Sequence, residues 1–173
     1  MSREVGLGIR VGCGHDTHRL VPDRPLILGG VTIPHELGLL GHSDADVVMH
    51  AVADALLGAA ALGDIGEHFP DTDPDCRGLE GRVLLGRVID LLKREGFRPV
   101  NCDITIHAQA PKLLHHKPVM RANLARCLGL DPREVNLKAK TGELVGPVGR
   151  GEAIMCDAIV LIETSHPTDQ ASA

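Results

Sequence analysis

Asp16 and His18 stand two residues apart in a segment that reads as extended, so both side chains project to the same side of the chain. An aspartate and an imidazole so placed are half of a divalent-metal site, although Asp-x-His alone reads equally as a polar strand end. The third candidate ligand is His50, inside an apolar helical pattern and one turn from both Asp46 and Asp54. Carboxylates at those spacings would orient its ring, as partners of metal-bound histidines do. A buried or surface histidine with no metal is the competing reading. Asp, His and His with a fourth position open is the pattern of a catalytic zinc site, not of a closed structural one.

Four other runs carry polar chemistry. Gly41-His42-Ser43-Asp44 falls at the N-terminus of the His50 helix, where unpaired N–H groups and the positive end of the helix dipole favour an anion such as phosphate. Ser43 or Asp44 would cap that helix, and His42 would add a donor beside the anion. Asp64-Ile65-Gly66 and Phe69-Pro70-Asp71-Thr72-Asp73 place carboxylates in one turn-rich loop, as solvated turns or as partners for the hydroxyls of a polyol. Ala108-Gln109-Ala110-Pro111-Lys112-Leu113-Leu114 has small residues that let backbone approach a ligand, and Lys112 offers a cation to phosphate or base. A plain strand-to-helix connection would explain the same run. In Lys140-Thr141-Gly142-Glu143, Thr141 would donate to a phosphoryl oxygen and Glu143 would hold a hard cation such as magnesium; ordinary turn chemistry is the alternative, there and at Gly149-Arg150-Gly151-Glu152.

These residues need elements to position them. Ile9 to Cys13 reads as a short strand leading into the polar run His15 to Arg19, and Leu26–Leu28 and Val31–Ile33 form a hairpin across Gly29-Gly30. Val47, Val48, Ala51, Val52, Ala55 and Leu56 recur at helical spacing from Asp46 to about Leu62. Gly63 to Arg77 is a loop long enough to be a lid or binding loop. A second helix covers Gly81 to Glu95, a third Pro118 to Leu128, closed by Gly129. The alternation from Val100 to Ala108 predicts a half-buried strand, Val135 to Ala139 another, and Ala153 to Glu163, apolar on both faces, a central one. The sum is an α+β fold with one mixed sheet and its helices packed on one face; the other face then needs a cover, which implies subunit association.

Composition sets the bounds. At 173 residues and 43% apolar, the chain reads as a single domain over residues 1–173, with a disordered tail from about Ser165. A net charge of -5 is the wrong sign for wrapping nucleic acid, and no Trp, no Tyr and only two Phe leave no platforms for stacking bases. Ten histidines point instead to metal or proton chemistry. The cysteines, at 13, 76, 102, 127 and 156, are odd in number and form no C-x-x-C pair, so neither a disulfide framework nor a Cys-rich zinc site is expected. Without a secretory signal or a membrane-length apolar run, the protein is expected to be cytoplasmic, with no membrane partner.

In order along the chain, these segments resemble the 2-C-methyl-D-erythritol 2,4-cyclodiphosphate synthase family of the non-mevalonate isoprenoid pathway, from about Ile9 to Glu163. The resemblance is carried by the Gly-x-Asp-x-His-Arg run at Gly14 to Arg19, by Gly-His-Ser-Asp at Gly41 to Asp44, and by the block from Ala51 to Pro74. The Ala-Gln-Ala-Pro-Lys run at Ala108 to Lys112 and Gly149-Arg150-Gly151-Glu152 complete it.

The resemblance implies an enzyme, a phosphorus–oxygen lyase, that converts 4-diphosphocytidyl-2-C-methyl-D-erythritol 2-phosphate to the cyclic diphosphate with release of CMP. It implies zinc on Asp16, His18 and His50 and a second divalent cation, Mg2+ or Mn2+, at Glu143. His42 and Thr141 match residues that stabilise the transition state, while Asp64 to Gly66 and Phe69 to Asp73 match the methylerythritol contacts and Ala108 to Leu114 the cytidine pocket. It further implies a homotrimer whose sheets face the central axis, with active sites between subunits. The chain departs from the pattern at His15, where an aromatic is common, at Ala45 for Gly, at Lys140 and Gly142 in the usual Thr-Thr-Thr-Glu, and at Pro147 for a Phe of the central cavity, where Arg150 and Glu152 also lie.

Overall fold

The last long apolar run organises the molecule. In the computed structural model, which describes residues 8–70, 73 and 78–165, strand β7 (Ala153–Thr164) takes the middle of a five-stranded sheet ordered β4-β1-β7-β5-β6. Its neighbours β1 (Ile9–Pro22) and β5 (Phe97–His107) run antiparallel to it, β6 (Val135–Lys140) runs parallel to β5, and β4 (Leu37–Leu39) closes the other edge on β1. The sheet is therefore mixed, as the sequence predicts. Strands β2 (Leu26–Leu28) and β3 (Val31–Ile33) form the expected separate hairpin, with Gly29 and Gly30 at φ of 57° and 69°.

Helix α1 (Val47–Ala60) lies on β1 and β7 as the central piece of the core. Contact is close because β1 has glycine where α1 crosses: a Cβ on Gly12 would stand 2.0 Å from the Ala55 carbonyl oxygen, and one on Gly14 2.1 Å from that of Ala51. Helices α3 (Gly81–Arg94) and α4 (Lys117–Leu128) extend the same layer, and Ile104, Ile106, Ile154, Cys156, Ala158, Val160 and Ile162 meet it from the sheet.

Three details correct the sequence reading. Strand β1 does not stop at Cys13 but continues to Pro22, so the metal-type residues sit within a strand paired to β7. The cap of α1 is neither Ser43 nor Asp44 but Asp46, whose carboxylate accepts from the amides of Val48 and Met49 and also of Gly29 and Gly30. The loop from Gly63 holds a one-turn helix, α2 (Ile65–His68), and another, α5 (Gly146–Gly149), follows Glu143. The tail beyond 165 lies outside the described residues.

Asp46 ties the helix start to the hairpin turn, and its burial, the largest influence, lifts the carboxyl to about 6 against the pull of those amide donors. Asp46→Ala removes the cap and leaves buried N–H groups unpaired, so we expect a loss of about 3 kcal/mol, read as a lower urea midpoint.

The face of the sheet away from the helices is apolar at one end and polar at the other. Val11 is 68% exposed and Ile159 50%. Beyond them His15 pairs across the strands with Asp157, Nδ1 to Oδ1 at 2.7 Å, and His107 reaches the second carboxylate oxygen at 2.8 Å. His15, where the resemblance has an aromatic, is thus part of a polar network in this chain.

Candidate active site

Two strand residues and one helix residue meet at the point where β1 passes the first turn of α1. Asp16 and His18 share the helix-facing side of β1 with Gly12 and Gly14, and His50, 7% exposed, comes down onto them from α1. Asp16 Oδ2 lies 3.0 Å from His18 Nε2 and 3.0 Å from His50 Nδ1, and the two ring nitrogens are 3.3 Å apart. Tetrahedral ligands at about 2.0–2.1 Å from a common ion would be about 3.3 Å from one another, so the spacing fits one divalent ion. No other set of three or more such groups comes together this closely among the described residues.

The protonation states also suit a metal. His18 Nδ1 donates to the Leu40 carbonyl at 2.6 Å, which fixes the tautomer and leaves Nε2 as the ligand atom. Burial alone would push the Asp16 carboxyl up, but bonds from His18 and His50 hold it well below the usual carboxylate range. Neither Asp46 nor Asp54 orients His50, contrary to expectation. Asp46 is committed to its amides, and Asp54 accepts the Ile65 N–H at 2.8 Å, tying α1 to α2. Burial, with the charges of Asp64 and Asp16, raises the Asp54 carboxyl against that bond.

Around the triad is a cavity of about 470 Å³ lined by Asp16, His18, Gly41, His42, Ser43, His50, Ile65, Gly66, Phe69 and Pro70, with Leu79 and Leu84 as an apolar wall. Asp64 caps α2 beside it, accepting from the Glu67 amide at 3.0 Å. Asp73 donates its amide to the Pro70 carbonyl, while Asp71 and Thr72 lie outside the described residues.

A second cavity, of about 230 Å³, takes in Ala108, Gln109, Pro111, Lys112, Leu113, Leu114, Lys140 and Thr141, together with Lys117 and Ala139. Ala110 lies in the same loop. Within one chain the second cavity shares no residue with the first, and Glu143 does not join the metal triad. Glu143 instead accepts from the Thr141 hydroxyl at 2.5 Å. Gly142 explains one departure from the expected pattern, since a Cβ there would stand 2.4 Å from the Gly149 nitrogen. Pro147 opens α5, and Arg150 pairs with Glu152 at 2.8 Å.

Neither Leu40 as the acceptor that orients His18 nor Leu79 and Leu84 as cavity wall leaves a signal in the sequence. Leu40 follows a strand of three residues, too short to show a pattern.

A helix-backed mixed sheet, with a carboxylate and two imidazoles that could hold a divalent ion converging in a polar cavity beside a helix N-terminus, defines an α+β fold with a candidate metal site. The YgbB family profile matches residues 9–163. A 2-C-methyl-D-erythritol 2,4-cyclodiphosphate synthase from Nitrosospira multiformis is 58% identical over 161 residues, 93% of this chain and 91% of the relative. Among solved structures, the bifunctional IspDF from Campylobacter jejuni matches with a TM-score of 0.88 and 42% identity, over 92% of this chain and 43% of that one. IspF from Plasmodium falciparum, in complex with CDP, matches with a TM-score of 0.81 and 31% identity, over 92% of this chain and 98% of that one. The chain belongs to the YgbB family, in which these relatives are 2-C-methyl-D-erythritol 2,4-cyclodiphosphate synthases. No helix among the described residues is long and apolar enough to cross a membrane.

Proposed function

We propose that the protein converts 4-diphosphocytidyl-2-C-methyl-D-erythritol 2-phosphate to 2-C-methyl-D-erythritol 2,4-cyclodiphosphate and CMP. The observation that carries this reading is the Asp16, His18, His50 triad opening into the same cavity as His42 and Ser43, in a chain of this family. An oxygen of the substrate's own 2-phosphate attacks the β-phosphorus, the bond from that phosphorus to the bridging oxygen breaks, and CMP leaves with the α-phosphate. No protein nucleophile is needed, because phosphoryl transfer depends chiefly on positioning and charge neutralisation.

Asp16, His18 and His50 would hold zinc, which when bound supplies positive charge to the terminal phosphate. His42 and the backbone amides of the Gly41 to Asp44 loop hold that phosphate from the side of α1, with Ser43 beside it, and Ile65, Gly66 and Phe69 enclose the methylerythritol carbons with Asp64 on the hydroxyls. The backbone from Ala108 to Leu114 receives the cytosine, Lys112 and Lys140 lie near the nucleotide phosphate, and Glu143 holds a second divalent cation. The polypeptide is cytoplasmic and acts as a homotrimer, the open sheet face with Val11 and Ile159 turned to the axis and the second cavity of one subunit completing the first of its neighbour. A CDP complex of a relative 31% identical to this chain supports a nucleotide-linked substrate.

Phosphorus NMR of the products tests the reading. Equal amounts of CMP and a cyclic diphosphate are expected, whereas a linear phosphorylated product would identify a zinc phosphodiesterase that uses water. Thr141→Ala should lower kcat by about tenfold to 100-fold with zinc content unchanged. An unaltered kcat would remove the hydroxyl from the transition state.

A further inference from the structure

Arg24 lies in the turn between β1 and β2, far in sequence from the anion-type loop, yet its guanidinium spans that loop from behind. Nη1 donates to the Gly41 carbonyl at 2.9 Å and Nη2 to the Ser43 carbonyl at 2.7 Å, one on each side of His42. The third nitrogen, Nε, is buried and has no acceptor among the described residues, so the bonds of the fork run to these two carbonyls. The backbone of Arg24 is itself confined. Strand β4 passes so close that a Cβ on Gly38 would stand 2.3 Å from the Arg24 carbonyl oxygen.

A trans peptide points its C=O and the following N–H in nearly opposite directions. Anchoring the Gly41 carbonyl on Arg24 therefore turns the His42 N–H away from the guanidinium, and anchoring the Ser43 carbonyl does the same for the Asp44 N–H. Neither of these amides donates to another group among the described residues, whereas the Ala45 and Asp46 amides are taken by Ser43 Oγ and Asp44 Oδ1. The loop thus keeps these two donors on the side opposite Arg24, with the Gly41 and Ser43 carbonyls, which would repel an anion, turned to the cation.

We infer that Arg24 is a positioning residue for the reaction: its fork sets the two peptide units around His42 so that their N–H groups, and not their carbonyls, receive the substrate phosphate. The inference rests on the proposed function in taking that loop as the phosphate site. A lysine could not replace it, because an ammonium is a point charge without the planar pair of donors that reaches both carbonyls.

The test uses the zinc-loaded protein with Arg24→Ala and Arg24→Lys. Arg24 makes no hydrogen bond to the metal residues but its charge acts on His18, so zinc content is measured in both variants and the rates are compared at full occupancy. We expect kcat/KM for the diphosphocytidyl substrate to fall about 100-fold in Arg24→Ala, and lysine to recover no more than about tenfold of that loss. Guanidinium ion at millimolar concentration should raise the activity of Arg24→Ala, a rescue that a merely structural loss would not show. Wild-type kcat/KM in Arg24→Lys, or zinc-loaded Arg24→Ala that guanidinium leaves unchanged, would overturn the inference. If Arg24→Ala does not fold, Arg24→Lys decides alone. If the wild type turns over no substrate, the proposed function falls, and amide NMR still reads the clamp: shifted His42 and Asp44 resonances in Arg24→Lys support it, and unshifted ones refute it.

Discussion

His50→Ala should lose bound zinc and about a thousandfold in turnover of the diphosphocytidyl substrate, a loss of several kcal/mol of transition-state stabilisation. The expectation follows from the shape of the site. His50 is the buried member of the triad and the one delivered by a different element, so removing it leaves a single strand to present one carboxylate and one imidazole. Neither Asp46 nor Asp54 can replace it, because both are bonded to backbone amides elsewhere. Metal content and turnover must be measured together. If the wild type is active and the variant is not, the site is catalytic and not only a staple in a metal-stabilised binding module. Normal turnover with unchanged metal would refute the assignment of His50 as a ligand.

Zinc affinity should fall about tenfold for each pH unit below the titration of His18, because the ion needs the Nε2 lone pair that a proton would occupy. Burial lowers the basicity of His18, but the bond to Asp16 and its charge outweigh this and raise the value above 6.5. In chelator-stripped protein the same pair acts with the opposite sense. His18, raised in the fold, contributes stability that is complete below pH 6.5 and is lost as pH rises through its folded value. Asp16, depressed in the fold, contributes stability present above pH 3.8 and lost only as pH falls through its lowered value. Both contributions therefore operate between pH 3.8 and 6.5. The gap in melting temperature between zinc-loaded and stripped protein should be wide at pH 8 and shrink toward pH 5. An equal gap at both would rule out His18 as a titrating ligand.

Much of this site is legible in the sequence because its parts are local. Asp16 and His18 are two apart, and their shared direction follows from any extended backbone, whatever strand it joins. The periodicity around His50 announces a long helix. What the sequence does not show is why the two meet. That depends on Gly12 and Gly14, which by type announce no contact but serve as the groove in which α1 lies. The polar residues from His15 to Arg19 hide the second half of β1, because the open face of the sheet there is built from histidine, threonine and aspartate instead of apolar side chains. Asp46 was hidden by its neighbours: Ser43 and Asp44 are equally good caps by type, and only the hairpin amides above Asp46 decide among them. The short elements β4, α2 and α5 span three or four residues each, less than one period of any pattern.

The position of β7 has a consequence for how the protein is made. Strand β1 carries two of the triad residues, yet the strand it pairs with along most of its length, with Asp16 opposite Cys156 and His18 opposite Ile154, is synthesised after every other described strand and helix. A ribosome-bound chain can form α1, α3 and the β5–α4–β6 unit while β1 still lacks that partner. Long-range pairing of this kind is slow, because loop closure precedes any gain from contact. During synthesis the strand that bears Asp16 and His18 therefore has only the short β4 beside it until β7 follows, and most of its ladder forms late.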